Sequence, residues 1–89
     1  MEDYGIAAYR SRSQVLRLEA QLKRDGVACA VVSTPREVAL GCGLSVRFDL
    51  VDTEKVRRAV TRTPGVGLIG LYQVHATGPR RLTALMFRG

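Results

Sequence analysis

Cysteine and histidine are the residue types in this 89-residue sequence that most often serve as an activated nucleophile or as a base. The cysteines are Cys29 and Cys42, and the single histidine is His75. Cys42 lies between Gly41 and Gly43, and the missing Cβ atoms on both sides would let a ligand or a partner's reactive group approach the sulfur. A thiol reacts as its thiolate, so an exposed thiol in such a setting can be reactive. Cys42 is therefore the candidate catalytic residue.

Each of these side chains also has a purely structural interpretation. Cys29 lies in the apolar run 27–32, where thiols are usually inert core residues. His75 has no acidic neighbour in the sequence and is predicted to be a surface or edge residue rather than a base. Cys42 itself could be a small filler residue, with its flanking glycines serving only as turn and cap residues. These alternatives stay open from the residues alone.

The composition favours acidic partners but does not identify one. The formal net charge is +6 and the pI is about 10.2, which would suit nucleic acid or an acidic protein surface. The basic residues are scattered, the closest to a patch being Arg57, Arg58 and Arg62, which a solvated helix face explains. There is no Trp for base stacking, so nucleic acid is only weakly supported. No cysteine and histidine spacing resembles a zinc site, and neither a metal nor a cofactor is predicted.

The length predicts one domain over residues 1–89, because either half would be too small to bury a core. No apolar run approaches the roughly 18 residues that span a bilayer, and the first residues do not resemble a signal peptide. We therefore expect a cytoplasmic protein with no membrane contact and with both thiols reduced.

Hydrophobic periodicity predicts five strands, two main helices and one short helix. Ser11 with Gln14 three residues later predicts a capping box at the start of the first helix, and Gly26 predicts its end. The strands are expected at 4–9, 27–33, 44–50, 67–74 and 82–87, the main helices at 11–25 and 53–63, and the short helix at 35–40, ending beside Cys42.

This order predicts an α+β fold, a ferredoxin-like split β-α-β sandwich with both main helices on one face of an antiparallel sheet. The short helix before Cys42 and the last strand would be additions. The other face of the sheet would be open, which suggests a homodimer through it. In this topology Cys42 and Arg36 should lie at the same end of the sheet as the start of the first helix, with Ser11, Arg12 and Ser13. The helix dipole and the guanidinium groups there would favour the thiolate.

The stretch 35–48 resembles a family of short bacterial proteins described as putative selenium or sulfur carrier-like proteins. It has a Pro-Arg segment, then Cys42-Gly43, then the basic-aromatic pair Arg47-Phe48. The resemblance covers about residues 4–74, and its supporting matches are Ser11, Glu19, Leu22, Lys23, Gly26 and Tyr72. Ser13 stands where the family often has a histidine, and residues 77–89 extend beyond the family's usual end.

The resemblance implies a carrier that holds a persulfide or selenosulfide on Cys42 and passes it from a donor protein to an acceptor. Arg36 and Arg47 would stabilise or steer the partner, Gly41 and Gly43 would admit it, and Ser11, Arg12 and Ser13 would add to the binding site. Such a protein is a carrier or accessory protein rather than a stand-alone enzyme. The alternative is a non-catalytic ferredoxin-like module that binds a small anion, nucleic acid or its own copy, with Cys42 incidental.

Overall fold

The computed structural model describes residues 2–36, 38, 43–62, 67–79 and 81–87. These residues form five strands, two α-helices and one turn of 3-10 helix before the second α-helix. In chain order the elements are β1 (Tyr4–Tyr9), α1 (Arg12–Arg24), β2 (Cys29–Ser33), β3 (Leu44–Phe48), the 3-10 turn (Leu50–Asp52), α2 (Thr53–Arg62), β4 (Leu68–Val74) and β5 (Leu82–Phe87). None of the described helices has the length and apolar character needed to cross a membrane.

The fold is α+β, with one antiparallel sheet in the order β2-β3-β1-β4-β5. The predicted additional strand at the C-terminus is confirmed as β5, which lies beside β4. The register sets Tyr9 opposite both Leu44 and Leu68, and Leu44 opposite Ser33. The end of β1, the end of β2 and the starts of β3 and β4 therefore meet at one end of the sheet, called here the Tyr9 end.

Both α-helices pack on the same face of the sheet. Alternate residues of the strands point to this face, and the apolar stripes of α1 and α2 cover them. The fully or nearly buried members of this core are Ala7, Tyr9, Val15, Leu18, Leu22, Val27, Val46, Phe48, Val56, Ala59, Val60, Leu68 and Leu71. Apolar and polar residues alternate along 44–50, which predicts a half-buried strand, and β3 confirms it because Val46 and Phe48 face the helices while Arg47 does not.

The opposite face of the sheet carries a smaller apolar cluster of Ile6, Ala8, Tyr72 and Val74. Ile6 is 1% exposed and Ala8 is not exposed at all. Val38, from the connection between β2 and β3, packs against this cluster, so the chain itself covers part of the face. Among the strand residues whose side chains the structure describes (4–9, 29–33, 44–48, 68–74 and 82–85), no large apolar side chain is exposed. The predicted homodimer through this face remains a prediction that these contacts do not support.

Helix α1 ends as its sequence predicts. Gly26 has a φ of +80°, the N–H of Gly26 donates to the carbonyl of Lys23 (3.1 Å), and the N–H of Val27 donates to the carbonyl of Leu22 (2.8 Å). These two hydrogen bonds form a Schellman motif, and Leu22 and Val27 are both buried beneath it. A left-handed residue at this position needs glycine, which explains why the stop could be predicted.

The predicted capping box at the start of α1 is wrong. The Ser11 side chain makes no hydrogen bond to the helix, and its Oγ instead lies 2.9 Å from the Oγ of Ser13. Gln14 does not reach back to Ser11 because its side chain packs beside Gly67, where an added Cβ would come within 2.7 Å of Gln14 Oε1. The backbone N–H groups of the first turn of α1 therefore have no side-chain cap from Ser11.

Two predicted features lie wholly or partly outside the described residues. The described members of the predicted short helix, Pro35, Arg36 and Val38, form a turn in which the N–H of Val38 donates to the carbonyl of Pro35 (3.0 Å). The remaining residues of that helix lie outside the described part, as does residue 63, the predicted last residue of the second main helix.

Strands β4 and β5 form a hairpin, and the register between them shifts by a bulge at Leu71/Tyr72. The N–H of His75 donates to the carbonyl of Arg81 (2.8 Å), and Gly78 in the connection has a φ of +94°. A second bulge at Ala8/Tyr9 interrupts the pairing of β1 with β4. Bulges of this kind increase the local twist and bend the strand.

Gly5 is predicted to be required because Phe48 occupies the space above it. A Cβ at Gly5 would collide with the Phe48 ring, which is itself 2% exposed and cannot move into solvent. We expect Gly5→Ala to lower the free energy of unfolding by about 1–3 kcal/mol, measured by urea denaturation. In the double variant Gly5→Ala/Phe48→Leu the smaller side chain at position 48 should relieve the collision. The double variant should therefore lose less stability than the sum of the losses in the two single variants. Strict additivity would contradict this contact.

Candidate functional site

Cys42 and Gly41 lie outside the described residues, so the site around them is defined by Gly43, which follows Cys42 in the chain. The carbonyl of Gly43 accepts a hydrogen bond from the N–H of Thr34 (3.0 Å). An added Cβ on Gly43 would lie 3.2 Å from Thr34 Oγ1 and 3.8 Å from the carbonyl oxygen of Tyr9. Gly43 is therefore held between the end of β2 and the end of β1, and its missing side chain allows this close packing.

A buried pair of hydroxyl groups supports Gly43. Thr34 Oγ1 and Ser45 Oγ lie 2.7 Å apart, and the two residues are 9% and 0% exposed. Ser45 lies opposite Ala8 in the register of β1 and β3, on the face of the sheet away from the helices. One of the two hydroxyls donates to the other in a place that water hardly reaches, so the pair links the residue after β2 to the second residue of β3.

The start of α1 lies at the same Tyr9 end. The N–H of Arg10 donates to the carbonyl of Gly67 (2.7 Å), which fixes the chain between Tyr9 and the helix. The first turn of α1 contains no acidic residue, and both Arg12 and Ser13 are exposed. The partial positive charge of a helix N-terminus and the Arg12 guanidinium therefore lie at the end of the sheet that holds Gly43.

The other predicted binding residues are placed differently. Arg36 is exposed on the β2–β3 connection, two residues after Thr34. Arg47 is exposed on β3, and its guanidinium carbon lies 3.9 Å from the centre of the Tyr4 ring. Tyr4 is at the opposite end of β1 from the Tyr9 end, and Arg47 is four residues, about 13 Å, along β3 from Gly43. The structure therefore brings Ser11, Arg12 and Ser13 to the end that holds Gly43, and directs Arg47 away from it.

Cys29 has the environment of an inert thiol, as its sequence context predicts. It is a free thiol that is half buried against the core, and its Sγ lies 3.7 Å from the carbonyl oxygen of Glu19 as a weak hydrogen-bond donor. Burial raises the pKa of the Cys29 thiol above its ordinary value, the Glu19 carboxylate raises it further, and Lys23 opposes them. Cys29 pairs with Phe48 and so lies at the opposite end of β2 from Thr34.

The basic residues of α2 are partly neutralised within the chain. Arg57 pairs with Glu54, and Arg62 lies 3.7 Å from the carboxylate of Asp25. These ion pairs reduce the charge that an acidic ligand would meet on this helix. Among the described residues, His, Cys, Asp and Glu side chains form no group of three that could hold a metal ion.

Sequence reasoning missed two contributors to this region, Thr34 and Ser45, and it also missed the Asp3 partner of His75 at the other end of the sheet. Thr34 precedes the proline that opens the predicted short helix, which favours a role as its N-cap. Ser45 alternates with the apolar residues of its strand, which favours an outward-facing side chain. The signal that could have identified Ser45 is its small polar side chain on the same face as Ala8, where the connection returns over the sheet. Asp3 lies 3.2 Å from His75 although the two residues are 72 positions apart, and no local pattern marks that contact.

Cys29 is expected to react slowly with alkylating reagents. In a Cys42→Ser variant, where Cys29 is the remaining thiol, the raised pKa and partial burial should make alkylation by iodoacetamide near pH 7.5 at least about threefold slower than that of glutathione. Peptide mass spectrometry over time measures the rate of alkylation. As a control, the same variant unfolded in urea should react at about the rate of glutathione, because its thiol is then exposed. A folded Cys29 that reacts as fast as glutathione would contradict this environment.

Removing one hydroxyl of the buried pair is expected to cost more stability than removing both. Ser45→Ala leaves the Thr34 hydroxyl buried without its partner, and should lower the free energy of unfolding by about 1–3 kcal/mol. The double variant Thr34→Val/Ser45→Ala removes both hydroxyls and should be closer to wild type than the single variant. Ser33→Ala, on an exposed residue of β2, should change stability by less than about 0.5 kcal/mol. A double variant less stable than Ser45→Ala would contradict the pairing.

Comparison with known proteins agrees with the resemblance seen in the sequence. A family model described as "Putative Se/S carrier protein-like" matches residues 4–73. No curated protein and no solved structure matches the chain. The match begins at the first residue of β1 and ends one residue before the end of β4, so it includes both helices and the Tyr9 end of the sheet, and leaves β5 outside. The chain therefore belongs to the family of Se/S carrier-like proteins.

Proposed function

We propose that this protein carries sulfur or selenium on Cys42, as a persulfide or selenosulfide, from a donor protein to an acceptor protein. The family match supports a carrier in general. We also propose that the domain is a ferredoxin-like split β-α-β sandwich with β5 added at one edge. The order β2-β3-β1-β4 of its first four strands and the packing of both helices on one face support this fold.

The chemistry asks little of the protein beyond an accessible thiolate. The Cys42 thiolate attacks the outer sulfur of a donor persulfide, a new S–S bond forms on Cys42, and the donor leaves as its own thiolate. The acceptor then repeats this exchange and regenerates the Cys42 thiolate. No separate general base takes part, which suits a family member that has Ser13 where a histidine is often found. Replacing the outer sulfur with selenium leaves the balance of the exchange unchanged.

The observation that carries the proposal is the position of Gly43 at the Tyr9 end, beside the N-terminus of α1. Cys42 is bonded to Gly43, so it belongs to the same part of the chain. The uncapped first turn of α1 and the Arg12 guanidinium favour an anion near them, and both a thiolate and a persulfide are anions. Ser11 and Ser13 add hydroxyl donors, and Arg36 adds a second guanidinium on the connection itself.

Arg47 has a separate role in this proposal. Its guanidinium is held over the Tyr4 ring on the face of the sheet opposite the helices, where it is exposed. A cation fixed by an aromatic ring suits the docking of an acidic surface on the donor or acceptor, at a distance from the reacting sulfur. Partner docking and anion stabilisation would then use different parts of the molecule.

Sulfur transfer is tested by incubating the protein with a cysteine desulfurase and cysteine, followed by intact and peptide mass spectrometry under non-reducing conditions. We expect one added sulfur atom on Cys42 in the wild type and in Cys29→Ser, and none in Cys42→Ser. Selenocysteine in place of cysteine tests selenium in the same assay. Absence of the adduct on Cys42, or its appearance on Cys29 instead, would overturn the proposal.

Activation of Cys42 is tested by the pH dependence of its alkylation by iodoacetamide. The pKa of the Cys42 thiol, obtained from the pH dependence of the alkylation rate, is expected to lie below that of a free thiol, about 8.5. It should rise in Arg12→Gln because a nearby positive charge is lost. Arg24→Gln is the matched control, since it removes the same charge from the opposite end of α1, about 18 Å away. An equal change of the Cys42 pKa in the two variants, or a pKa of about 8.5 or more in the wild type, would count against an activated thiolate.

A further inference from the structure

A hydrogen-bonded chain of three side chains lies at the opposite end of the sheet from Gly43. His75 Nδ1 lies 3.2 Å from Asp3 Oδ2, and His75 Nε2 lies 2.6 Å from Thr83 Oγ1. Asp3 is held in place by two further donors, the N–H of Ala76 (2.9 Å) and the Nε2 of Gln73 (2.9 Å). Asp3 directly precedes β1, His75 directly follows β4 and Thr83 is the second residue of β5, so the sheet brings the three side chains together.

The hydrogen bonds determine which nitrogen of His75 carries the proton when the ring is neutral. The hydrogen bond from the Ala76 N–H, with those from Gln73 and His75, lowers the pKa of the Asp3 carboxyl below its ordinary value. An ionised carboxylate only accepts hydrogen bonds, so His75 donates to it through Nδ1–H. In the neutral ring Nε2 is then the acceptor, and the Thr83 hydroxyl donates to it. This is the arrangement of a hydroxyl nucleophile, a base and a group that orients the base.

We propose that Thr83 is a second reactive group of this protein, a hydroxyl nucleophile that accepts acyl groups from small activated esters. His75 acts as the base on Thr83, and Asp3 positions His75. All three residues lie outside the segment 4–73 that the family model matches, so this activity belongs to the part of the chain that extends the family fold. It is independent of the sulfur chemistry proposed for Cys42.

The reaction balances without a further reagent. The oxygen of Thr83 attacks the carbonyl carbon of the ester while its proton passes to His75 Nε2. The tetrahedral intermediate collapses, the bond to the leaving alcohol breaks, and His75 returns the proton to that alcohol. The product is an O-acyl threonine. Water activated by the same nitrogen can later hydrolyse it, with the carboxylic acid released and Thr83 restored.

The surroundings of the three residues allow a small substrate to reach them. The side chains of His75 and Asp3 are 23% and 34% exposed, and Thr83 is half buried. Within the described part of the chain β5 is an edge strand, with β4 on one side only. Backbone N–H groups alternate in direction along an antiparallel strand, so either Thr83 or Ala84 presents its N–H to the free edge. Such a group can donate to the developing oxyanion of an ester carbonyl.

The activity is tested with p-nitrophenyl acetate on the full chain carrying Cys29→Ser and Cys42→Ser, so that no thiol contributes. We expect a burst of p-nitrophenol and an acetyl group on the peptide that contains Thr83. Thr83→Val should abolish the acetylated peptide, and His75→Gln should slow its formation by at least about a hundredfold. Thr83→Ser should retain the reaction, and Thr77→Val, on an exposed threonine of the same hairpin, should leave it unchanged.

The variant Asp3→Asn tests whether Asp3 positions the His75 ring for the reaction or only supports the fold. The amide can donate to Nδ1, which would place the ring proton on Nε2 and prevent Thr83 from donating there. We expect ring-nitrogen NMR to show this change of tautomer together with at least about a tenfold slower burst. An acetyl group found only on lysines or the N-terminus, or an equal burst in Thr83→Val, would overturn the proposal. So would an unchanged tautomer and rate in a folded Asp3→Asn.

Discussion

The structure depends on strand β1, which is paired along both edges and buried on both faces. Every residue from Gly5 to Tyr9 is buried, with Ala7 facing the helices while Ile6 and Ala8 face the other side. A strand in this position cannot shift by one residue without moving its whole apolar set to the wrong face. Strands β3 and β4 both pair directly with β1, so the register of each depends on the position of β1. The small residues at 5, 7 and 8 also let Phe48 and the second apolar cluster pack close to the backbone.

The position of β1 explains why two separate groups of chemically capable residues form at the two ends of one sheet. At its C-terminal end it leads through Arg10 into α1 and meets Gly43 and Gly67 on either side. At its N-terminal end it places Asp3 beside His75, on the hairpin that the family match leaves out. The first group is rich in positive charge, while the second is a chain of hydrogen bonds centred on a carboxylate. The two groups therefore favour different chemistry, although both are held by the same strand.

Much of the fold followed from local patterns in the sequence. The bounds of β1, the alternation in β3 and the end of α1 each depend on residues close together in the chain, such as the pairing of Gly26 with Lys23. The wrong predictions concern contacts between residues that are far apart in the chain. Gln14 was assigned to a capping box, but its side chain packs beside Gly67, more than fifty positions away. The Thr34 to Ser45 pair and the Arg47 to Tyr4 contact likewise depend on sheet register, and periodicity alone does not give the register. The choice of Cys42 as the candidate thiol came from its glycine neighbours and the family resemblance. Its expected position beside the start of α1 came from topology and stays a prediction, since the described chain resumes at Gly43.

The bulge between Leu71 and Tyr72 has a consequence for how copies of this protein behave towards one another. A regular edge strand offers a continuous row of backbone donors and acceptors, which another chain can extend into an aggregate. The bulge interrupts the ladder just inside β5 and increases the twist there, so the outer strand is a poor template for a flat, repeating sheet. A net charge of +6 adds repulsion between copies at low ionic strength, so the charge and the bulge both oppose edge-to-edge pairing through β5.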